Sequence, residues 1–235
     1  MIDTAVILAA GHGSRLRDSA PIKPLCEVNG RTLIDHALAG LAAAGLTRAV
    51  VVLGYEAQAI EAHLASARLP LAVGCVRTSD PALPNGVSAL AAAEAVGGGE
   101  ALLVMCDHLV SPQLYGRVAQ AGAGDGLRLG IDRRLRHPWV DDDDVTRVQT
   151  EGDRIVALGK GLEPYNAHDT GVFAVGPALF AALASLPQPS LTEGVRLLAA
   201  RGHARTVDCS GIDWIDVDDA PALAKAEAWL ASLAA

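Results

Sequence analysis

Cysteine is scarce in this chain and never paired in sequence. Cys26, Cys75, Cys106 and Cys209 form no Cys-x-x-Cys unit, which argues against a zinc site or a disulfide framework. The expectation is free, buried thiols in a reducing compartment. Aromatic residues make up 3% of the chain, so the core must be built from Ala, Val and Leu. No dense run of Lys and Arg is present and the net charge is -8. That composition excludes nucleic acid as a partner. No run approaches the roughly 20 apolar residues of a spanning helix. The opening Met-Ile-Asp-Thr-Ala-Val-Ile-Leu lacks the basic flank and cleavage site of a secretory signal. A cytoplasmic protein with no membrane partner is therefore expected.

What the chain does have is apolar bulk and regular alternation. Of its 235 residues, 51% are hydrophobic, enough for one large core. Short apolar runs at 4–8, 48–53, 71–76 and 101–105 read as buried strands. Between them, 32–44, 56–65 and 87–96 read as helices, the first ended by Gly45 and the last broken by Gly97 to Gly99. This is the βαβ pattern of an α/β protein with a doubly wound, mostly parallel sheet. The second half reads as more mixed. Strands are expected at 127–132, 171–175, 204–208 and 213–217. A hairpin is expected across 145–150 and 154–159, and helices near 177–185, 191–200 and 219–233. No internal repeat or long linker divides the chain, so 1–235 reads as a single domain.

Ligands of such sheets bind beyond the carboxyl ends of the strands. Two polar loops lie there, 11–23 after the first strand and 107–111 after the fourth. The first is embedded in LAAGHGSRLRDSAPIKPL, residues 8–25. Gly11 and Gly13 let backbone N–H groups approach phosphate oxygens closely. Arg15 can grip a phosphate with two N–H groups, and Lys23, between Pro21 and Pro24, supplies a point charge. A lone Gly-x-Gly says little, and the Gly-Lys-Ser/Thr end of a P-loop is missing. Glycines, arginine and Lys-Pro-Leu together are far more specific. In the second loop Asp107 ends the run ALLVM, where a carboxylate can hold a cation against phosphates.

The motif LAAGHGSRL with its following KPL resembles the signature of the sugar-phosphate nucleotidyltransferases. The order of Cys106-Asp107-His108, Gly159-Lys160-Gly161-Leu162, Asp169-Thr170-Gly171 and Trp214-Ile215-Asp216-Val217-Asp218 is similar to the cytidylyltransferase domain of the inositol-1-phosphate cytidylyltransferases. The resemblance runs from residue 5 to about residue 230. The stretch Arg17 to Ala20 is shorter than in many relatives, which weakens the match to the hexose-1-phosphate branches.

The resemblance implies a Rossmann-like nucleotidyltransferase fold, with residues 1–110 as the nucleotide-binding half and 111–235 as the acceptor-binding half. It implies CMP transfer from CTP to a phosphorylated polyol or alcohol, inositol 1-phosphate above all, with release of pyrophosphate. Leu8, Ala9, Ala10, Gly11, Gly13 and Ser14 would wrap the triphosphate, and Arg15 and Lys23 would stabilise the transition state. Asp107 and Asp216 would hold Mg²⁺, with Asp218 assigned to capping the last helix. Asn85, Gly86 and Ser88, which by themselves read as a turn and helix cap, would line the base pocket. Asp132, Arg133, Lys160, Asp169, Thr170, Gly171 and Glu193 are candidates for the acceptor side, Lys160 as its phosphate clamp. The run Asp141 to Asp144 reads as a solvated face, with magnesium or polyol binding as the functional alternative. Phosphocholine, a sugar 1-phosphate with UTP or another nucleoside triphosphate, and a non-catalytic nucleotide-sensing module are the alternatives. A homo-oligomer is left open. A downstream transferase would use the activated product.

Overall fold

The computed structural model describes residues 1–16 and 20–233. Strand β1 (Thr4–Ala9) enters a loop with short 3-10 turns at Ser14–Leu16 and Lys23–Leu25. The ribbon β2 (Glu27–Val28) and β3 (Arg31–Thr32) follows. Then come α1 (Leu33–Ala43), β4 (Arg48–Leu53), α2 (Ala57–Ser66), β5 (Ala72–Arg77), α3 (Asn85–Ala91), α4 (Ala93–Val96) and β6 (Ala101–Met105). The second half runs β7 (His108–Val110), α5 (Pro112–Ala121), β8 (Leu127–Asp132), β9 (Arg147–Glu151), β10 (Arg154–Gly159) and β11 (Ala167–Val175). It continues with α6 (Pro177–Ala184), α7 (Leu191–Ala200), β12 (Ala204–Asp208), β13 (Trp214–Asp216) and α8 (Ala220–Leu233).

Nine strands form one sheet in the order β5-β4-β1-β6-β11-β8-β12-β10-β9. The first-half strands β5, β4, β1 and β6 are all parallel, because each connection between them carries a helix back across the sheet. The α/β alternation read from the sequence is this part. Beyond β6 the sheet is mixed. β11 lies antiparallel between β6 and β8, and β12 is parallel to β8. The β9–β10 hairpin is antiparallel, as a turn at Gly152 (φ 61°) dictates. Helix α5 and strand β7 were not legible in the sequence. Strand β11 begins earlier than expected, at Ala167, because its first residues pair with β9.

Alternation along the strands feeds two cores. Ala5, Ile7, Ala49, Val51 and Leu53 face one side of the sheet; Val6, Leu8, Val50 and Val52 face the other. Both faces are covered by helices, which explains the continuous apolar runs. A third cluster joins Leu16, Val28, Leu33, Ile215, Val217 and Trp229. It pins the loop after β1 against β13 and α8. Cys26, Cys106 and Cys209 are buried free thiols, but Cys75 is exposed, since β5 is the sheet's outer strand. Among the described residues, no helix is long and apolar enough to cross a membrane.

Candidate active site

β1 sits between β4 and β6, so the strand order reverses at its carboxyl end. That is where a crevice opens in a doubly wound sheet. Cys106 N–H donates to the Leu8 carbonyl at 3.2 Å, which sets Asp107 beside the start of the glycine loop. β13 then pairs antiparallel with β7, placing Asp216 opposite His108, and Val217 N–H donates to the Asp107 carbonyl at 3.0 Å. Two acidic segments far apart in sequence meet by backbone pairing.

Lys23 reaches the same point from the third direction. Its side chain is only 7% exposed, and Nζ donates to Asp107 Oδ2 at 2.7 Å and to Asp218. Gly13, at φ 56°, crosses over the lysine stem, where a Cβ would run into the Lys23 side chain. Arg15 donates to Asp144 at 2.8 Å and also pairs with Asp218. Lys160 pairs with the other oxygen of Asp144. Three cations and three carboxylates thus form one chain of contacts, and all of them but the buried Lys23 line a cavity of about 680 Å³. Asn85, Trp139, Phe173 and Lys225 also line that cavity.

The charges settle one another. Burial disfavours the Lys23 ammonium, but Asp107, Asp216 and Asp218 outweigh it and hold its pKa above the ordinary lysine value. Asp107 is likewise held below its ordinary value: burial opposes ionisation, and the Lys23 charge overcomes it. Asp144 is depressed against its burial by Lys160 and Arg15. Asp218 moves the other way, raised by burial and by the neighbouring charge of Asp216. Asp169 is pushed up to about 6 by burial, despite the N–H that Gly171 donates to it at 2.7 Å. Burial would depress His108, but Asp216, then Asp107 and the Thr170 carbonyl, push it up to about 10.

Asp107 and Asp216 suit a hard divalent cation, which takes oxygen ligands. Asp216 carries the telling atom: its Oδ1 is buried and has no hydrogen-bond partner among the described residues. A buried carboxylate oxygen is costly to leave unpaired, and a bound cation would satisfy it.

Other expected residues are placed differently. Leu8, Ala9 and Ala10 are buried and Gly11 is exposed. The Ala10 carbonyl accepts from Tyr55 N–H at 3.0 Å, and the His12 ring packs 4.8 Å from that of Tyr55. Ser14 opens the turn that ends at Leu16; Arg17 to Ser19, from the short stretch Arg17 to Ala20, lie outside the described residues. Asn85 lines the cavity, and its Oδ1 accepts from Leu191 N–H at 2.8 Å, capping α7 rather than its own helix. Gly86 lets α3 press on the chain before α7, where a Cβ would meet the Pro189 carbonyl. Ser88 is buried.

On the acceptor side, Lys160, Asp169 and Gly171 line the cavity, and Asp132, Arg133, Thr170 and Glu193 do not. Asp132 is fully buried, committed to Arg134 and to Trp214 Nε1 at 3.0 Å. Arg133 pairs with Asp208 at 3.4 Å. Thr170 Oγ1 donates to the Gly130 carbonyl at 2.8 Å. Glu193 closes a capping box with Ser190. These side chains hold the scaffold. Two acids also depart from expectation. Asp218 does not cap α8; Asp219 does, accepting from Ala222 N–H at 2.8 Å. The acidic run is not simply solvated, for Asp144 turns inward onto Arg15 and Lys160. Its involvement had no local signal, because four identical residues in a row give no hint of which one points in.

Comparison with known proteins fits this geometry. A family model described as the MobA-like NTP transferase domain matches residues 5–203. The chain belongs to that family. This transferase domain is 34% identical over 224 residues to a bifunctional IPC transferase and DIPP synthase of Rubrobacter xylanophilus, covering 91% of the chain and 49% of the relative. A protein of the same name from Aquifex aeolicus is 31% identical over 245 residues, covering 100% of the chain and 53% of the relative. The transferase domain thus spans about half the length of these relatives. In fold it is similar to the inositol-1-phosphate CTP transferase of T. maritima, with a TM-score of 0.87 at 24% identity over 99% of this chain and 96% of that one.

Proposed function

We propose that the protein transfers CMP from CTP to a phosphorylated polyol, inositol 1-phosphate, and releases pyrophosphate, in a Mg²⁺-dependent reaction. The observation that carries this reading is the meeting of Arg15, Asp107 and Asp216 at one cavity, with the buried Lys23 bonded to Asp107 beside it, at the strand-order reversal of a transferase domain. Relatives named for IPC transferase activity, aligned along nearly the whole chain, support the choice of nucleotide and acceptor.

The acceptor phosphate is already a competent nucleophile, so no covalent intermediate with the protein is needed. Its oxygen attacks the α-phosphorus in line, the bond to the bridging oxygen breaks, and pyrophosphate leaves. Residues of the chain then act by position and charge. Lys23 holds its proton throughout and steadies the α-phosphate as charge builds. Arg15, about half exposed at the cavity mouth, neutralises the leaving pyrophosphate. Backbone N–H groups from Gly11 to Ser14 wrap the triphosphate. Lys160, swung from Asp144, clamps the acceptor phosphate. Mg²⁺ held by Asp107 and Asp216 supplies neutralisation of the reacting phosphates. Carboxylates at the cavity wall, Asp141 to Asp143 and Asp169, accept from acceptor hydroxyls. Trp139 on the same wall favours a second reading, a phosphocholine acceptor, since a quaternary ammonium binds aromatic faces.

The test is pyrophosphate release from each of four nucleoside triphosphates crossed with inositol 1-phosphate, phosphocholine and hexose 1-phosphates. Turnover should be greatest for CTP with inositol 1-phosphate. Greater turnover for another pair replaces that assignment, and tight nucleotide binding without turnover favours a sensing module.

A further inference from the structure

His108 follows Asp107 directly, and the chemistry above makes no use of it. Its imidazole is nevertheless firmly oriented. Nδ1 lies 3.0 Å from the Thr170 carbonyl oxygen. A carbonyl can only accept, so Nδ1 carries a proton; Nε2 faces the acids, and without a cation it holds a second proton against Asp216, which a bound cation would displace. Nε2 is 3.3 Å from Asp216 Oδ2 and 4.0 Å from Asp107 Oδ1. Lys23 occupies the other oxygen of Asp107, Oδ2, which leaves Oδ1 on the imidazole side. One donor atom from each of Asp107, His108 and Asp216 lies within 4.8 Å of the other two.

The surroundings are shaped for that ring. Gly171 adopts φ 75°, and a Cβ there would run into the imidazole. Trp214 packs alongside with ring centroids 5.9 Å apart. A histidine that binds a metal through one nitrogen almost always donates from the other to a carbonyl or carboxylate, which fixes its tautomer and direction. His108 has that second contact, and a buried oxygen of Asp216 without a partner among the described residues lies in the same cluster.

We infer that His108 Nε2 is a third ligand to the divalent cation held by Asp107 and Asp216, making the centre a mixed nitrogen–oxygen site that accepts Mg²⁺ but binds Mn²⁺ or Co²⁺ more tightly. Carboxylates alone favour hard ions such as Mg²⁺, whereas an imidazole shifts the preference toward later divalent metals. The inference rests on the metal site of the transferase reading, but not on the identity of the base or the acceptor.

The experiment uses the full chain with Mn²⁺ and CTP, without acceptor, and reads the electron spin echo modulation of the bound ion. A ¹⁴N coupling is expected, replaced by a ¹⁵N coupling in uniformly ¹⁵N-labelled protein bound to unlabelled CTP. In His108→Asn the coupling should vanish and Mn²⁺ affinity fall by about tenfold or more, with a smaller change for Mg²⁺. The isotope readout on the native chain holds even if that variant folds poorly. Bound Mn²⁺ that shows phosphorus and proton couplings but no protein nitrogen overturns the inference and leaves the transferase reading intact. Absence of any bound Mn²⁺, with pyrophosphate release still dependent on Mg²⁺, also overturns it alone. Absence of binding together with metal-independent turnover overturns both the inference and the metal part of that reading.

Discussion

Lys23 Nζ lies 2.7 Å from Asp107 Oδ2, across 84 positions of sequence, with the lysine almost entirely out of water. The cation assigned to the α-phosphate therefore rests, without nucleotide, on a carboxylate assigned to the metal. Each partner neutralises the other until both are called on elsewhere. Nucleotide and metal together can replace these contacts, while metal alone must compete with the ammonium.

Lys23→Ala should show both sides of that relationship. Turnover should fall by a factor equivalent to about 2.7–4 kcal/mol of transition-state stabilisation, by analogy with loss of an oxyanion-hole donor. Binding of Mn²⁺ in the absence of nucleotide should tighten, because the competing charge is gone. Steady-state kinetics and calorimetric titration of the same preparation check the two. Near-native turnover would remove Lys23 from the mechanism.

Adjacent aspartates should separate cleanly. Asp218→Ala removes a partner of both Lys23 and Arg15, so turnover should fall at least tenfold while the melting temperature changes little. Asp219→Ala removes the cap of α8 and should cost about 1 kcal/mol of stability, with a much smaller kinetic effect. Denaturant melts and kinetics on the pair decide this, and a reversed pattern would return Asp218 to a capping role.

Gly171→Ala forces a side chain onto a left-handed backbone and into the His108 ring. The backbone alone should cost about 1–2 kcal/mol, and the displaced imidazole should weaken Mn²⁺ binding as well. Thermal melting combined with metal titration tests it. A variant with native stability and native metal affinity would show that the ring does not need that space.

Asp132 predicts an acid-sensitive contribution to stability. Burial opposes its ionisation, but hydrogen bonds from Arg134 and Trp214 outweigh this and hold its pKa below the ordinary value. The stabilisation is therefore complete above the unfolded-chain value of about 3.9 and fades as pH falls through the folded one. Asp132→Asn should be less stable than the native chain by about 1–3 kcal/mol at pH 7. The gap should narrow steadily below about pH 4. Urea unfolding across that range measures it, and a gap independent of pH would mean that the charge of Asp132 contributes nothing.

The first half of the fold was open to reading because its signals are local. An apolar run such as Thr4–Ala9 ends in glycine, and a helical stripe such as Leu33–Leu41 follows; both are visible within a dozen residues. Arg15, Lys23 and Asp107 stood out for the same reason, as charged residues in the polar loops that follow β1 and β6. Helix α5 escaped because its apolar face, Leu114, Tyr115 and Val118, is set in an otherwise polar stretch. Asp132 and Thr170 looked like ligands only because sequence does not show burial. Their partners, Trp214 and Gly130, come from other strands.

Sequence by itself determined the alternating strands and helices, the glycine turn and the chemical kinds of side chain available, since each depends on neighbours a few positions away. Only the tertiary structure decided which acids meet. Asp216 faces His108 through the register of β13 on β7, Asp218 and Asp144 turn onto Lys23 and Arg15, and Asp219 is left to cap its helix. That choice belongs to long-range backbone pairing and charge neutralisation, which no window along the chain contains.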